Sequence, residues 1–338
     1  MRWGTAAAVT AATAMGIGAA TVAAGRYVSS VALRPDGRAP AGSDLTVHGA
    51  AAGQVTISRT PASMRPGRYA LSDGGLHAVV GEVLSVAPDS VTRRLERVDN
   101  GELRPGSSAD LSPQVAHGDP RQALGLDFTD VSVPGDLGSM PAWYIPGVRD
   151  IWVITAHGLG ATREQCLPVV PLLHDLGLSV LDITYRNDDG APRSPDRLSH
   201  LGATEWHDLD SAMRFAERAG ALAFVLYGWS VGATMALYAA HRSAMRERIR
   251  GLVLDSPILD WRTTVRMRAR RCGVPGMLLP LGVRAAEGRT GLRTDRPPKA
   301  AHPERLAIPT FLAHGPDDTI ASFDASRGLA ERTGDLVI

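Results

Sequence analysis

From about residue 126 onward, short apolar runs alternate with stretches of helical periodicity, and no other feature limits the fold as strongly. The apolar runs cover 151–156, 179–184, 221–227, 251–255 and 308–313. Between and after them, helices are expected near 163–176, 204–219, from residue 230, and near 323–332. In the second of these, Trp206, Leu209, Met213 and Ala216 recur at helical spacing. Strands that alternate with helices in this way form a mostly parallel sheet covered on both faces. Two further runs, 126–133 and 140–145, flank a Gly-Pro turn region and are expected to pair antiparallel.

The first third of the chain follows different rules. Residues 4–24 carry no charge, with Arg2 before them and Arg26 after. About 20 apolar residues suffice to cross a bilayer, and Val22-Ala23-Ala24 is compatible with a signal cleavage site. Residues 1–25 are therefore expected to be a membrane anchor or an export signal. Arg26, Arg34 and Arg38 on the downstream flank count against export, and the side of the membrane stays open. Residues 26–52, rich in Pro and Gly, are expected to be a linker. Residues 53–118 are expected to form a small β-rich accessory region. Within it, Asn100-Gly101 suggests a two-residue hairpin between 92–98 and 102–103.

Composition removes several function classes. The net charge of +1 gives no electrostatic footprint for nucleic acid, so no nucleic-acid partner is expected. Nearly all the positive charge is arginine, Lys299 being the one lysine. Cys166 and Cys272 are too few and too far apart for a metal site or a disulfide framework. No metal and no cofactor are expected.

Three short motifs carry chemistry. The run 221–227 ends in Gly228-Trp229-Ser230-Val231-Gly232 and passes at once into a helical stretch. A serine on such a strand-to-helix turn projects its hydroxyl above the sheet, beside the Val231 amide at a helix N-terminus. His157-Gly158-Leu159-Gly160 directly follows the run 151–156. A turn there offers a backbone amide, that of Leu159, to the oxyanion of an acyl-transfer intermediate. The His157 side chain is read as bracing this loop rather than moving protons. His314-Gly315-Pro316-Asp317-Asp318 follows the run 308–313, and either Asp317 or Asp318 fits as the acid that orients a catalytic imidazole.

The order of these motifs resembles the α/β-hydrolase superfamily, especially its serine esterases and aminopeptidase- and prolyl-oligopeptidase-like members. The resemblance covers residues 126–338, with 257–306 as a cap-like insertion. It implies Ser230 as nucleophile, Asp318 as acid with Asp255 the alternative, and Leu159 and Val231 as the oxyanion hole. Ala233 departs from it, since the family usually has a second glycine there. The implied substrate is a small-molecule or peptide ester or amide. Arg262, Arg266, Arg268, Arg270 and Arg271 in the insertion fit either an anionic substrate or a solvated helix face. Tyr185 to Asp188 lie at the expected rim with no role assigned.

The implied triad order is serine, acid, histidine. No histidine occurs among the 20 residues after Asp318, and Leu336-Val337-Ile338 reads as the opening of a strand. The expectation is a hydrolase truncated before its triad histidine, with impaired catalysis. His200, His207, His241 and His302 offer no clear substitute. The competing expectation is a catalytically inactive member of the fold with a binding or membrane-associated role.

Overall fold

The computed structural model of the protein describes residues 3–36, 45–73, 75–292 and 308–333, with the side chains of the first helix described from residue 18. The chain divides into two compact units. The larger comprises Met1–Gly37, Thr129–Arg163 and Leu173–Ile338; the smaller comprises Arg38–Phe128 and Glu164–Leu172. The chain thus returns to the smaller unit after the strand that precedes His157, a division that the sequential reading of 53–118 followed by 126–338 did not anticipate.

In the smaller unit six strands close into a barrel. They are β1 (Leu45–Ala51), β2 (Gln54–Ser58), β3 (Tyr69–Ser72), β4 (His77–Val86), β5 (Ser90–Asn100) and β6 (Ser108–Ser112), in the spatial order β1-β2-β5-β4-β3-β6. The inward residues Leu45, Val47, Val55, Ile57, Leu71 and Val80 alternate with outward ones and fill the interior. Closure removes the unpaired edges that a sheet this small would otherwise expose. The hairpin turn lies at Pro88-Asp89, where the Ala87 amide donates to the Ser90 carbonyl at 2.9 Å. Asn100-Gly101 ends β5 instead of turning a hairpin, a correction to the expectation above.

Arg93, on β5, is fully enclosed. Its guanidinium donates only to backbone carbonyls: Gly81 from Nε at 2.9 Å, Ser63 and Arg65 from Nη1 at 2.9 Å, and Gly67 and Gly81 from Nη2 at 2.6 and 2.5 Å. A short helix, α2 (Pro120–Leu124), is capped by Asp119 and ended by Gly125 in the left-handed region.

The larger unit begins with α1 (Trp3–Ala32) and continues in a seven-stranded sheet. Its strands are β7 (Thr129–Gly135), β8 (Gly138–Ile145), β9 (Ile151–Ala156), β10 (Ser179–Ile183), β11 (Ala223–Trp229), β12 (Ile249–Asp255) and β13 (Thr310–Ala313), in the order β13-β12-β11-β9-β10-β8-β7. The five from β9 to β13 pair parallel, while β7 and β8 add an antiparallel edge. Every residue of β10 is buried, as in a parallel strand covered on both faces, including Asp182, whose Oδ1 accepts from the Thr155 hydroxyl at 2.8 Å. The expected helix over 163–176 is instead two 3₁₀ turns and α3 (Val170–Asp175), because Pro168 and Pro171 cannot donate to a continuous ladder. The helices α4 (Trp206–Arg218), α5 (Val231–Arg242) and α8 (Phe323–Thr333) stand where periodicity placed them.

Residues 26–32 are not linker. They are the last turns of α1, which packs on α6 (Trp261–Arg271) and α7 (Leu279–Thr290). Val28 and Leu33 are fully buried in the core of this unit, each worth about 1.5–3 kcal/mol over exposure. The helices meet closely enough that a Cβ on Gly282 would stand 2.1 Å from Val28. Arg268 donates to the Ala32 and Arg34 carbonyls at 2.7 and 3.2 Å, satisfying the open end of α1. That arginine of the cap-like stretch is therefore structural, while Arg266, Arg270 and Arg271 are exposed. Among the described residues, no helix is long and apolar enough to cross a membrane, so the anchor expected over 4–24 finds no support there. The residues 334–338, read as an opening strand, and the part of the insertion from 293 to 307 with His302 lie outside the described residues.

Candidate active site

The three motifs stand after β9, β11 and β13. In a parallel sheet these strands all run the same way, so their following loops emerge at one end.

Ser230 is the single residue between β11 and α5, with φ 51° and ψ −107°. A non-glycine residue with positive φ carries backbone strain that surrounding structure must hold. Its amide donates to the Asp255 carbonyl at 2.7 Å, and its carbonyl accepts from the Thr234 amide and hydroxyl at 3.1 Å. The Thr234 hydroxyl in turn accepts from the Ile258 amide at 2.9 Å. Both flanking glycines are needed for close approach. A Cβ on Gly228 would lie 2.2 Å from the Gly232 backbone, and one on Gly232 would lie 2.0 Å from the Ala156 carbonyl oxygen and 2.8 Å from that of His157. The elbow therefore rests directly against the end of β9, and the first two motifs are brought together. Val231 opens α5, where the first amides of a helix have no partner within it.

His157 is completely buried, with Nδ1 2.9 Å from the Gly158 carbonyl and Nε2 2.9 Å from Asp188 Oδ2. Both partners are acceptors, so the ring is best satisfied with a proton on each nitrogen. Burial works against that charge, but the adjacent Asp188 carboxylate outweighs it and holds the imidazole pKa above its ordinary 6.5. Tyr185 stacks on the ring at 4.5 Å, and its hydroxyl donates to the His157 and Gly158 carbonyls at 3.3 and 3.2 Å. Asp188 also accepts from the Tyr185 amide at 2.7 Å. Tyr185 and Asp188, given no role by the sequence, thus lock the 157–160 loop. Arg186 between them is held by Asp208 of α4 through two 2.7 Å hydrogen bonds.

Asp318 forms the third corner. Its Oδ1 accepts from the Ile320 and Ala321 amides at 2.6 and 3.0 Å, while Oδ2 is 3.3 Å from His314 Nε2. His314 Nδ1 is 2.7 Å from the Ser326 hydroxyl of α8. Asp255, the alternative acid, is pushed above the usual carboxylate range by burial, against the pull of the Ser256 hydroxyl 2.8 Å away. A carboxylate that resists ionising is the poorer orienter of an imidazolium. Ser256 has φ 51°, like Ser230, and nothing in its neighbourhood in sequence signals this. Of the histidines weighed as substitutes, His200 is held by Asp196 at 3.0 Å and His207 packs on Trp206. Among the described residues, no group of three or more His, Cys, Asp and Glu could hold a metal ion.

Residues 46–112, the barrel strands, match a family described as a domain of unknown function, DUF8805. No curated protein matches the chain. Among solved structures, the esterase Pf2001 of Pyrococcus furiosus is similar with a TM-score of 0.51 at 21% identity, covering 66% of this chain and 84% of that one. A second crystal form of the same esterase gives a TM-score of 0.50 at 20% identity, over 67% and 85% of the two chains. The larger unit of this protein has the α/β-hydrolase fold.

Proposed function

We propose that the protein hydrolyses ester or amide bonds through an acyl-serine intermediate on Ser230. The observation that carries this reading is the strained backbone of Ser230, fixed at an elbow whose next glycine is pressed against the end of β9. Strain of this kind is retained where the position itself is useful. In the proposed reaction the Ser230 hydroxyl oxygen attacks the substrate carbonyl. The Leu159 and Val231 amides receive the developing oxyanion, the bond from the carbonyl carbon to the leaving group breaks, and the alcohol or amine departs with the proton given up by the Ser230 hydroxyl. Water then releases the acid. Asp318, with one oxygen tied down by two amides, is the acid of this reading, and none of the described histidines is assigned as the base it would orient. His157, Gly158 and Gly160 keep the oxyanion loop in shape.

One observation favours a second reading. The Asp318 carboxylate already faces His314 and two amides, as a purely structural clamp would. On that reading the fold binds acyl compounds without turning them over. An activated fluorophosphonate separates the two, because it reports an activated serine without a known substrate. The expected result is labelling of the intact chain at Ser230 and none of the Ser230→Ala variant. Absence of label on the folded intact chain would leave the binding reading in its place.

A further inference from the structure

Charge is unevenly spread along this chain. Residues 261–292, which supply α6 and α7, hold seven arginines and a single acid, Glu287, although the whole chain has a net charge of only +1. Three of the seven serve the fold. Arg268 closes the end of α1, and Arg289 Nη1 reaches the Arg26 carbonyl at 3.3 Å and the Ser29 and Ser30 hydroxyls at 3.0 and 2.7 Å. Arg262 lies against the Trp261 ring at 5.9 Å. The other four, Arg266, Arg270, Arg271 and Arg284, are exposed.

Helical spacing sorts these side chains. On α6, Trp261, Val265 and Ala269 repeat along the buried side, while Arg266 and Arg270, one turn apart, share the outward side with Arg271 next to them. α1 runs beside α7 in the same direction: Gly25 stands against Leu281, Val28 against Gly282, and Arg26 to Ser30 against Arg289. The start of α7 and the 3₁₀ turn before it, Gly276–Leu278, therefore lie level with the exposed part of α1. That end of the three-helix layer is open and apolar. Met277 is 84% exposed, Tyr27 64% and Val22 61%. Residues 18–23 are all exposed, with no charge among them.

Cations and bare apolar side chains on one layer narrow the partner. A nucleic acid would use the guanidinium groups and leave Met277 and Val22 in water. An acidic lipid surface uses both, with headgroup phosphates against the arginines and the acyl boundary against the apolar side chains. Arginine suits this position, because its stem lies along apolar surface while its fork reaches a phosphate.

We infer that this face of the larger unit rests on a membrane surface carrying anionic phospholipid, without crossing it. Nothing in such docking depends on chemistry at Ser230. The test is co-sedimentation of the full chain with vesicles of phosphatidylcholine alone and of equimolar phosphatidylcholine and phosphatidylglycerol. Binding to the anionic vesicles is expected, at least about tenfold tighter than to the neutral ones and weakening as salt is raised. Arg266→Gln, Arg270→Gln and Arg271→Gln together are expected to lower the partition coefficient about a hundredfold, while lysine at the same three positions keeps most of it. Met277→Asp is the second variant, with an expected loss of about tenfold. All four side chains are exposed, so these replacements leave the core intact. No binding to either vesicle, equal binding to both, or glutamine and aspartate variants that bind as the parent does would overturn the inference. Tighter capture of a duplex oligonucleotide than of the anionic vesicles would overturn the choice of a lipid surface.

Discussion

Among the described residues, each unit buries one guanidinium deep in its structure, and the two do so by opposite means. In the barrel, Arg93 gives all its hydrogen bonds to the carbonyls of Ser63, Arg65, Gly67 and Gly81. Burial there pulls the arginine pKa down, with Tyr69 opposing it. In the larger unit, Arg186 meets the Asp208 carboxylate. Burial again pulls down, but the Asp208 hydrogen bonds and charge win, and the pKa rises. Partial charges on carbonyls suffice to seat a cation when they also need to be gathered: Arg93 ties the 63–67 loop to β4. A full counter-charge is used where two separate elements, the end of β10 and α4, must be kept in register. A carbonyl cage shapes one loop, whereas an ion pair joins two elements.

The contrast predicts an order of cost. Asp208→Ala leaves Arg186 buried without its counter-charge and is expected to destabilise the larger unit by about 3–5 kcal/mol, read from urea unfolding. Removing both partners, as in Arg186→Met with Asp208→Leu, should cost less than the single change. Arg93→Met removes donors but strands no charge. It is expected to cost about 2–3 kcal/mol, since the carbonyls lose their partners and some can turn to water. A barrel variant as costly as Asp208→Ala would mean that carbonyls and carboxylates are not distinguished in the way argued here.

The smallest expected effect concerns His157, which combines both means by using one carbonyl and one carboxylate. Its folded pKa is raised above 6.5, so the proton it holds stabilises the fold fully below that pH. The contribution is lost as pH rises through the higher folded value. Asp188→Asn is therefore expected to cost about 1–2 kcal/mol at pH 6 and progressively less in alkaline buffer. A deficit that stays constant or grows with pH would show that His157 is held neutral.

Local signals were legible in the sequence and remote ones were not. The Ser230 elbow could be read because strand, glycines and helix are contiguous. So could the parallel sheet, whose inner strands are apolar on both faces. The lock on the 157–160 loop was missed because Asp188 lies 31 residues from His157 in sequence. Only the pairing of β9 with β10 brings their following loops side by side. Pro168 and Pro171 were a visible reason to doubt one long helix over 163–176. The end of α1 was misread as linker because Arg26 broke the uncharged run, although Val28, Val31 and Ala32 repeat at helical spacing. Asn100-Gly101 failed for the opposite reason: a strong local turn signal stood at the end of a strand with no partner waiting beyond it.

The seat of α1 also sets a clock. Val28 rests against Gly282, about 250 residues downstream, so the helix is synthesised well before the partner that covers it. At roughly 5–20 residues per second the ribosome needs roughly 10–50 s to cross that interval, and it makes the whole barrel meanwhile. Throughout that time Val28, Val31 and Leu33 lack the surface that will cover them, and the nascent chain carries an apolar helix open to chaperones. Docking of α1 then comes after the barrel strands have been made, and pauses in translation between β7 and α7 lengthen its exposure directly.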